Sequence, residues 1–143
     1  MRDRILLACR EYPLSDLVGR VFDELRIEEL GGYNLYVFKI AGVPFAFIAR
    51  RDEVKSIADI AYAANPGDND AMRAEKELAR RLLSIVREHA DECDPCEVAT
   101  DLVFLLDMVG CDVGEDDDVK CLSDDEIVVE LVGEYEYYRE MCG

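Results

Sequence analysis

The chain has 143 residues, with 16 Lys and Arg against 33 Asp and Glu, and a formal net charge of −17. No stretch approaches the 18 or more uninterrupted apolar residues of a membrane span, and the apolar run after Met1-Arg2-Asp3-Arg4 is too short for a secretory signal, so a cytoplasmic protein that does not engage membranes is expected. Half the residues are apolar, enough for one self-sufficient core at this length.

In chain order, Arg2 to Glu11 reads as a short helix stopped by Pro13. Ser15 can cap a second helix, whose residues Leu14, Leu17, Val18, Val21, Phe22 and Leu25 recur at threes and fours and which Gly31-Gly32 would end. Tyr33 to Ile40 and Val43 to Ala49 are rich in β-branched and aromatic residues around Ala41-Gly42, which predicts a β-hairpin. Both faces of that hairpin are apolar, so cover on both sides is expected, from helices or a third strand.

Asp52 is read as the cap of a helix to about Ala64, broken by Asn65-Pro66-Gly67. From Asp70 to about Ala90 the stripe Leu78, Leu82, Ile85, Val86 predicts an amphipathic helix, with Glu77 and Arg81 paired one turn apart. Asp94, Pro95 and Glu97 fit N-cap, N1 and N3 of the next helix, which Gly110 closes. That helix is apolar around most of its circumference, so it belongs in the core or in a subunit interface, and a homo-oligomer is expected.

Asp112 to Asp125 reads as an acidic loop. Ser123 to Glu126 reads as a capping box opening a last helix with Ile127, Leu131, Tyr135 and Tyr138 on one face; a strand near 127–132 is the alternative. The resulting fold class is α+β: a predominantly helical single domain over residues 1–143 with one central β-hairpin at about 33–49.

The charge is one-sided. Residues 1–55 hold nine basic and nine acidic side chains, whereas residues 91–143 hold two basic and eighteen acidic ones. A surface that binds nucleic acid needs cations to replace phosphate counterions, so the acidic third excludes direct nucleic-acid contact there. It fits a basic protein partner instead, docked by Asp112, Glu115, Asp116, Asp117, Asp118, Asp124, Asp125 and Glu126. The crowded carboxylates lack the acid spacing and central Gly of an EF-hand calcium loop.

The chain contains no Gln and no Trp, a single Thr and twelve Arg to four Lys, a composition that suits a thermophilic source, where cytosolic disulfides are common. His89, Cys93 and Cys96, with Cys111 or Cys121, also supply four ligands for a structural zinc ion, the one cofactor the composition suggests.

At Cys93-Asp94-Pro95-Cys96 the chain resembles thioredoxin-like oxidoreductases, whose C-x-P-C site opens a helix. The resemblance covers four residues and implies dithiol chemistry at Cys93 and Cys96. A helix rather than a strand is predicted before the motif, and no proline follows Pro95.

Glu53-Val54-Lys55 after an apolar strand is similar to the E-x-K element of restriction-endonuclease-like nucleases, but the strand Tyr33 to Lys39 offers no second carboxylate. The predicted order helix, helix, hairpin resembles a winged-helix module, which would read DNA through the neutral N-terminal half. No complete catalytic set and no Gly-rich phosphate loop emerges, so a non-enzymatic interaction or regulatory protein is the expected function.

Overall fold

The computed structural model describes residues 3–67 and 70–143. Its elements are β1 (Arg4–Leu7), β2 (Arg10–Pro13), a 3₁₀ turn (Leu14–Leu17), β3 (Glu24–Leu30), β4 (Tyr33–Ile40), β5 (Val43–Arg50), β6 (Lys55–Ser56) and α1 (Ile57–Ala61). They continue with α2 (Ala71–His89), a 3₁₀ turn (Ala90–Glu92), α3 (Pro95–Met108), β7 (Cys111–Val113), β8 (Val119–Cys121) and α4 (Glu126–Cys142).

Among the described residues this is a mixed α+β fold of four α-helices and three small sheets, ordered β2-β1-β6, β3-β4-β5 and β7-β8. The expected predominantly helical fold with a single hairpin is therefore wrong, chiefly in the first 30 residues. Arg4 to Leu7 and Arg10 to Pro13 form an antiparallel hairpin, with Ile5 and Leu7 buried and Leu6 facing out. Three consecutive apolar residues fit either period, and burial in a sheet selects two rather than 3.6. Arg2, the first residue of the expected helix, lies outside the described residues.

The expected second helix is likewise absent. Of its expected stripe Leu14, Leu17, Val21 and Phe22 are buried, whereas Val18 is exposed and Leu25 half-buried, and the buried four hang from a 3₁₀ turn and a loop that bends at Gly19, φ +90°. Glu24 to Leu30 is instead the third strand that the hairpin needed, in register from Glu24↔Lys39 to Leu30↔Tyr33. Gly31-Gly32 is thus a hairpin turn and not a helix stop; Gly31 has φ +69°, a conformation open to glycine at no steric cost.

The β4–β5 hairpin matches expectation, with Ala41 and Gly42 both at positive φ and pairing from Tyr33↔Arg50 to Ile40↔Val43. Only one face is fully covered. Tyr36, Phe38, Phe45 and Phe47 are buried, with Phe38 4.8 Å from Phe22 and 5.4 Å from Phe45 between ring centroids. On the other face Leu35, Val37 and Ala46 are half-buried and Ile48 is exposed.

Beyond β5 the expected helix from Asp52 shrinks to α1. Its capping box is Ser56 with Asp59, and Lys55 pairs beside β1 in a parallel bridge across some fifty residues of chain. The helices α2 and α3 form where predicted. Asp94 accepts from the Cys96 amide at 2.8 Å, Pro95 occupies the first turn, and Arg81 Nε meets Glu77 at 2.9 Å. The apolar circumference of α3 is accounted for by the core: it packs against α1, α2, α4 and β7. The loop expected at 112–125 contains the β7–β8 hairpin, and residues 127–132 are helical, which overturns the strand alternative.

One polar cluster sits inside. Lys55 Nζ donates to Asp3 Oδ1 at 3.1 Å and to the Glu53 carbonyl at 2.8 Å, the Tyr36 hydroxyl meets the same Asp3 oxygen at 2.5 Å, and Asn34 Nδ2 reaches that hydroxyl at 3.3 Å. All four residues are buried. Burial alone would lower the Lys55 pKa, but the Tyr36 hydroxyl and the Asp3 carboxylate outweigh it and hold the ammonium above its ordinary range.

Candidate functional site

The acidic residues gather on the β7–β8 hairpin and the segment leading into α4. The hairpin is short, in register Cys111↔Cys121, Asp112↔Lys120 and Val113↔Val119, with Cys111 and Cys121 also at disulfide distance and their Cα atoms 4.0 Å apart. Its tip is closed by hydrogen bonds from the Gly114 amide to the Asp118 carbonyl at 2.8 Å and from the Asp117 amide to the Gly114 carbonyl at 3.1 Å. Asp117 sits there at φ +61°, a conformation that aspartate tolerates better than most residues.

The eight predicted docking residues divide into two groups. Asp117 and Asp125 are engaged within the fold: Asp117 accepts from the Tyr135 hydroxyl and from Arg139 Nε, each at 2.9 Å, and Asp125 is bound by Lys76. The Tyr135 hydrogen bond, followed by that of Arg139, lowers the Asp117 pKa; the Lys76 hydrogen bond and charge do the same for Asp125. These contacts fasten the hairpin to α4 and the start of α4 to α2. Tyr135 and Arg139 were not recognisable from the sequence as supports of the acidic segment, because one reads as a core residue and the other as a helix C-terminal cation.

The other six, Asp112, Glu115, Asp116, Asp118, Asp124 and Glu126, are exposed, and none forms an ion pair among the described residues. Further along α4 the pattern changes. Glu130 and Glu134 share Arg87 at 3.2 and 2.9 Å, whereas Glu136 and Glu140 nearer the C-terminus are again exposed and form no ion pair among the described residues.

The proposed zinc ligands are not brought together. Cys93 stands at disulfide distance from Cys9, Cys96 from Cys142 and Cys111 from Cys121, with Cα separations of 5.5, 4.8 and 4.0 Å. His89 Nδ1 instead lies 3.5 Å from Glu92. Among the described residues no group of three or more His, Cys, Asp or Glu side chains is placed to hold a metal ion. The C-x-P-C motif does not close on itself either, since each of its cysteines reaches a distant part of the chain. The E-x-K element is also split: Glu53 is exposed while Lys55 is buried against Asp3.

A carboxyl that sequence reasoning missed is Asp101 on α3. It accepts from the Ala8 amide and lines a cleft of about 510 Å³ with Leu6, Ala8, Cys9, Glu97 and Thr100. Burial pushes its pKa up to about 6; the Ala8 hydrogen bond opposes that shift and the Glu97 charge adds to it. A raised carboxyl pKa means that the fold prefers the neutral acid. Asp101 therefore detracts from stability increasingly as pH rises from the ordinary value of 3.8 through about 6. Asp101→Asn, which keeps an acceptor for the Ala8 amide, is expected to raise the unfolding free energy at pH 8 by about 2–3 kcal/mol and to give no gain below pH 3.8, as read by denaturant melts across pH.

Comparison with protein-family models, curated proteins and solved structures finds no match to the chain. Among the described residues no helix is long and apolar enough to cross a membrane.

Proposed function

We propose that this protein is a non-enzymatic interaction module that docks a basic protein partner through the β7–β8 hairpin and the first turn of α4. The observation that carries the reading is the division among the acidic residues: Asp117 and Asp125 anchor the segment, and six neighbouring exposed carboxylates form no ion pair among the described residues. Carboxylates on an anchored hairpin lose little freedom when a partner arrives, and a one-signed patch accelerates encounter with a cationic surface. The same reading places the protein in the cytoplasm of a thermophile, as a homo-oligomer, with its cysteine pairs oxidised.

The test is titration of the full chain with an Arg- and Lys-rich peptide at several salt concentrations. Neutralising the six residues together, with Asp→Asn and Glu→Gln changes at 112, 115, 116, 118, 124 and 126, is expected to weaken binding by about tenfold or more at low salt and to flatten its salt dependence. Six neutral substitutions at exposed carboxylates elsewhere, Asp16, Asp52, Asp91, Asp107, Glu136 and Glu140, are expected to have a much smaller effect. Equal losses from the two sets would show that only the net charge matters, and would sink the proposal.

A further inference from the structure

The sheet β3-β4-β5 ends on one side at β3, whose outer edge meets no other strand among the described residues. The two-residue turn at Gly31-Gly32 makes Leu30↔Tyr33 the closing hydrogen-bonded pair, so Glu28, Arg26 and Glu24 bond toward β4. The amides and carbonyls of Leu25, Ile27 and Glu29 therefore point outward. An edge of this kind is a template for another strand unless its side chains oppose one.

We propose that β3 pairs antiparallel with β3 of a second copy of this chain, about a two-fold axis at Ile27, to give one continuous six-stranded sheet. This interface is separate from the acidic docking face and does not depend on it.

Strand overlap and charge together select the register: an axis at Ile27 pairs the whole of Glu24–Leu30, whereas an axis at Leu25 would set Arg26 against Glu24 but overlap the strands only from Glu24 to Arg26. With the axis at Ile27, Arg26 lies opposite Glu28 of the partner and Glu28 opposite the partner's Arg26, so one favourable pair is made twice. Leu25 then faces Glu29, Glu24 faces Leu30, and Ile27 faces its own copy. A shift of the axis by one residue toward either end would stack Arg26 on Arg26 and Glu24 on Glu28, or Glu28 on Glu28. Like charges directly opposite each other destabilise a strand pair.

The surroundings also suit self-association. Around this sheet the charges already neutralise one another, with Lys39 at 3.3 Å from Glu24, Arg26 at 3.3 Å from Glu28, Arg51 at 3.9 Å from Glu29 and Arg50 at 3.8 Å from Glu53. In a chain of net charge −17 such a balanced patch is where two copies repel least on approach. Its apolar members are open: Leu30 is 49 % exposed, Tyr33 45 % and Ile48 59 %.

The experiment is sedimentation equilibrium of the full chain and three variants, with circular dichroism confirming that each is folded. The unmodified chain, of 16.2 kDa, is expected to sediment as a dimer. Arg26→Glu alone and Glu28→Arg alone each place like charges opposite one another twice, and are expected to raise the dimer dissociation constant by about tenfold or more. The double variant, Arg26→Glu with Glu28→Arg, restores opposite charges and is expected to recover the dimer. A monomeric unmodified chain, single variants that dimerise undiminished, or a double variant no better than the singles would each overturn the proposal.

Discussion

Replacing Cys9 and Cys93 together by serine is expected to lower the unfolding free energy by about 4–5 kcal/mol, the largest loss among the three cysteine pairs. The pair closes a loop of 84 residues, against 46 for Cys96 with Cys142 and 10 for Cys111 with Cys121. If oxidised bridges act mainly by limiting the unfolded chain, the cost should follow loop length, and the Cys111→Ser, Cys121→Ser variant should lose about 2–3 kcal/mol. The pairs also differ in what they join: Cys9–Cys93 ties the β1–β2 turn to the start of α3, and Cys96–Cys142 ties that same start to the end of α4. Denaturant melts of the two double variants under oxidising conditions check the order. The same melts with a thiol reductant should bring all the proteins to a similar, lower stability. Equal stability of all forms without reductant would mean that the bridges do not form.

Lys55→Met is expected to cost about 3–5 kcal/mol, because it strands the Asp3 carboxylate inside the protein. Asp3 is 5 % exposed and Lys55 1 %. Removing both charges, with Asp3→Leu and Lys55→Met, is expected to recover most of that loss, since a buried ion pair stabilises little relative to apolar groups of similar size. The pH dependence follows from the direction of the Lys55 shift. A lysine held above its ordinary value of 10.5 contributes stability that is full below pH 10.5 and fades as pH rises through the raised value. The gap between the unmodified chain and Lys55→Met should therefore hold from neutral pH upward and narrow in strong alkali. Thermal or denaturant melts from pH 7 upward read it directly.

These two expectations rest on contacts of different legibility. The helices α2 and α3 could be read from the sequence because their signals are local: the stripe Leu78, Leu82, Ile85, Val86 has the helical period, and Asp94-Pro95 is a start signal with its own hydrogen bond. The β4–β5 hairpin was legible for the same reason, through Ala41-Gly42. The spacing of Leu14, Leu17, Val21 and Phe22 marks them as core but fits a helix equally well, and what decides against one is the pairing of Glu24 to Leu30 with β4.

The β1–β6 bridge lies further from view. Its partners Ile5↔Lys55 and Leu6↔Ser56 are distant in sequence, and nothing local marks Asp3 as the acid that Lys55 needs. Cysteine pairing was illegible for a similar reason: spacing made Cys93 and Cys96 neighbours, whereas the fold sends one to β1–β2 and the other to α4. The acidic cluster could be placed on the hairpin segment from composition alone. Its division into anchoring and open carboxylates depends on Tyr135, Arg139 and Lys76, which arrive from α4 and α2.

The most direct measurement of the docking proposal is a residue-by-residue amide chemical-shift map of the full chain as an Arg- and Lys-rich peptide is added. The largest changes are expected within residues 112–126 and are expected to fade with added salt, while the amides of β1 to β5 stay near their starting positions. Changes spread evenly over the acidic surface, or centred away from the β7–β8 hairpin, would contradict it.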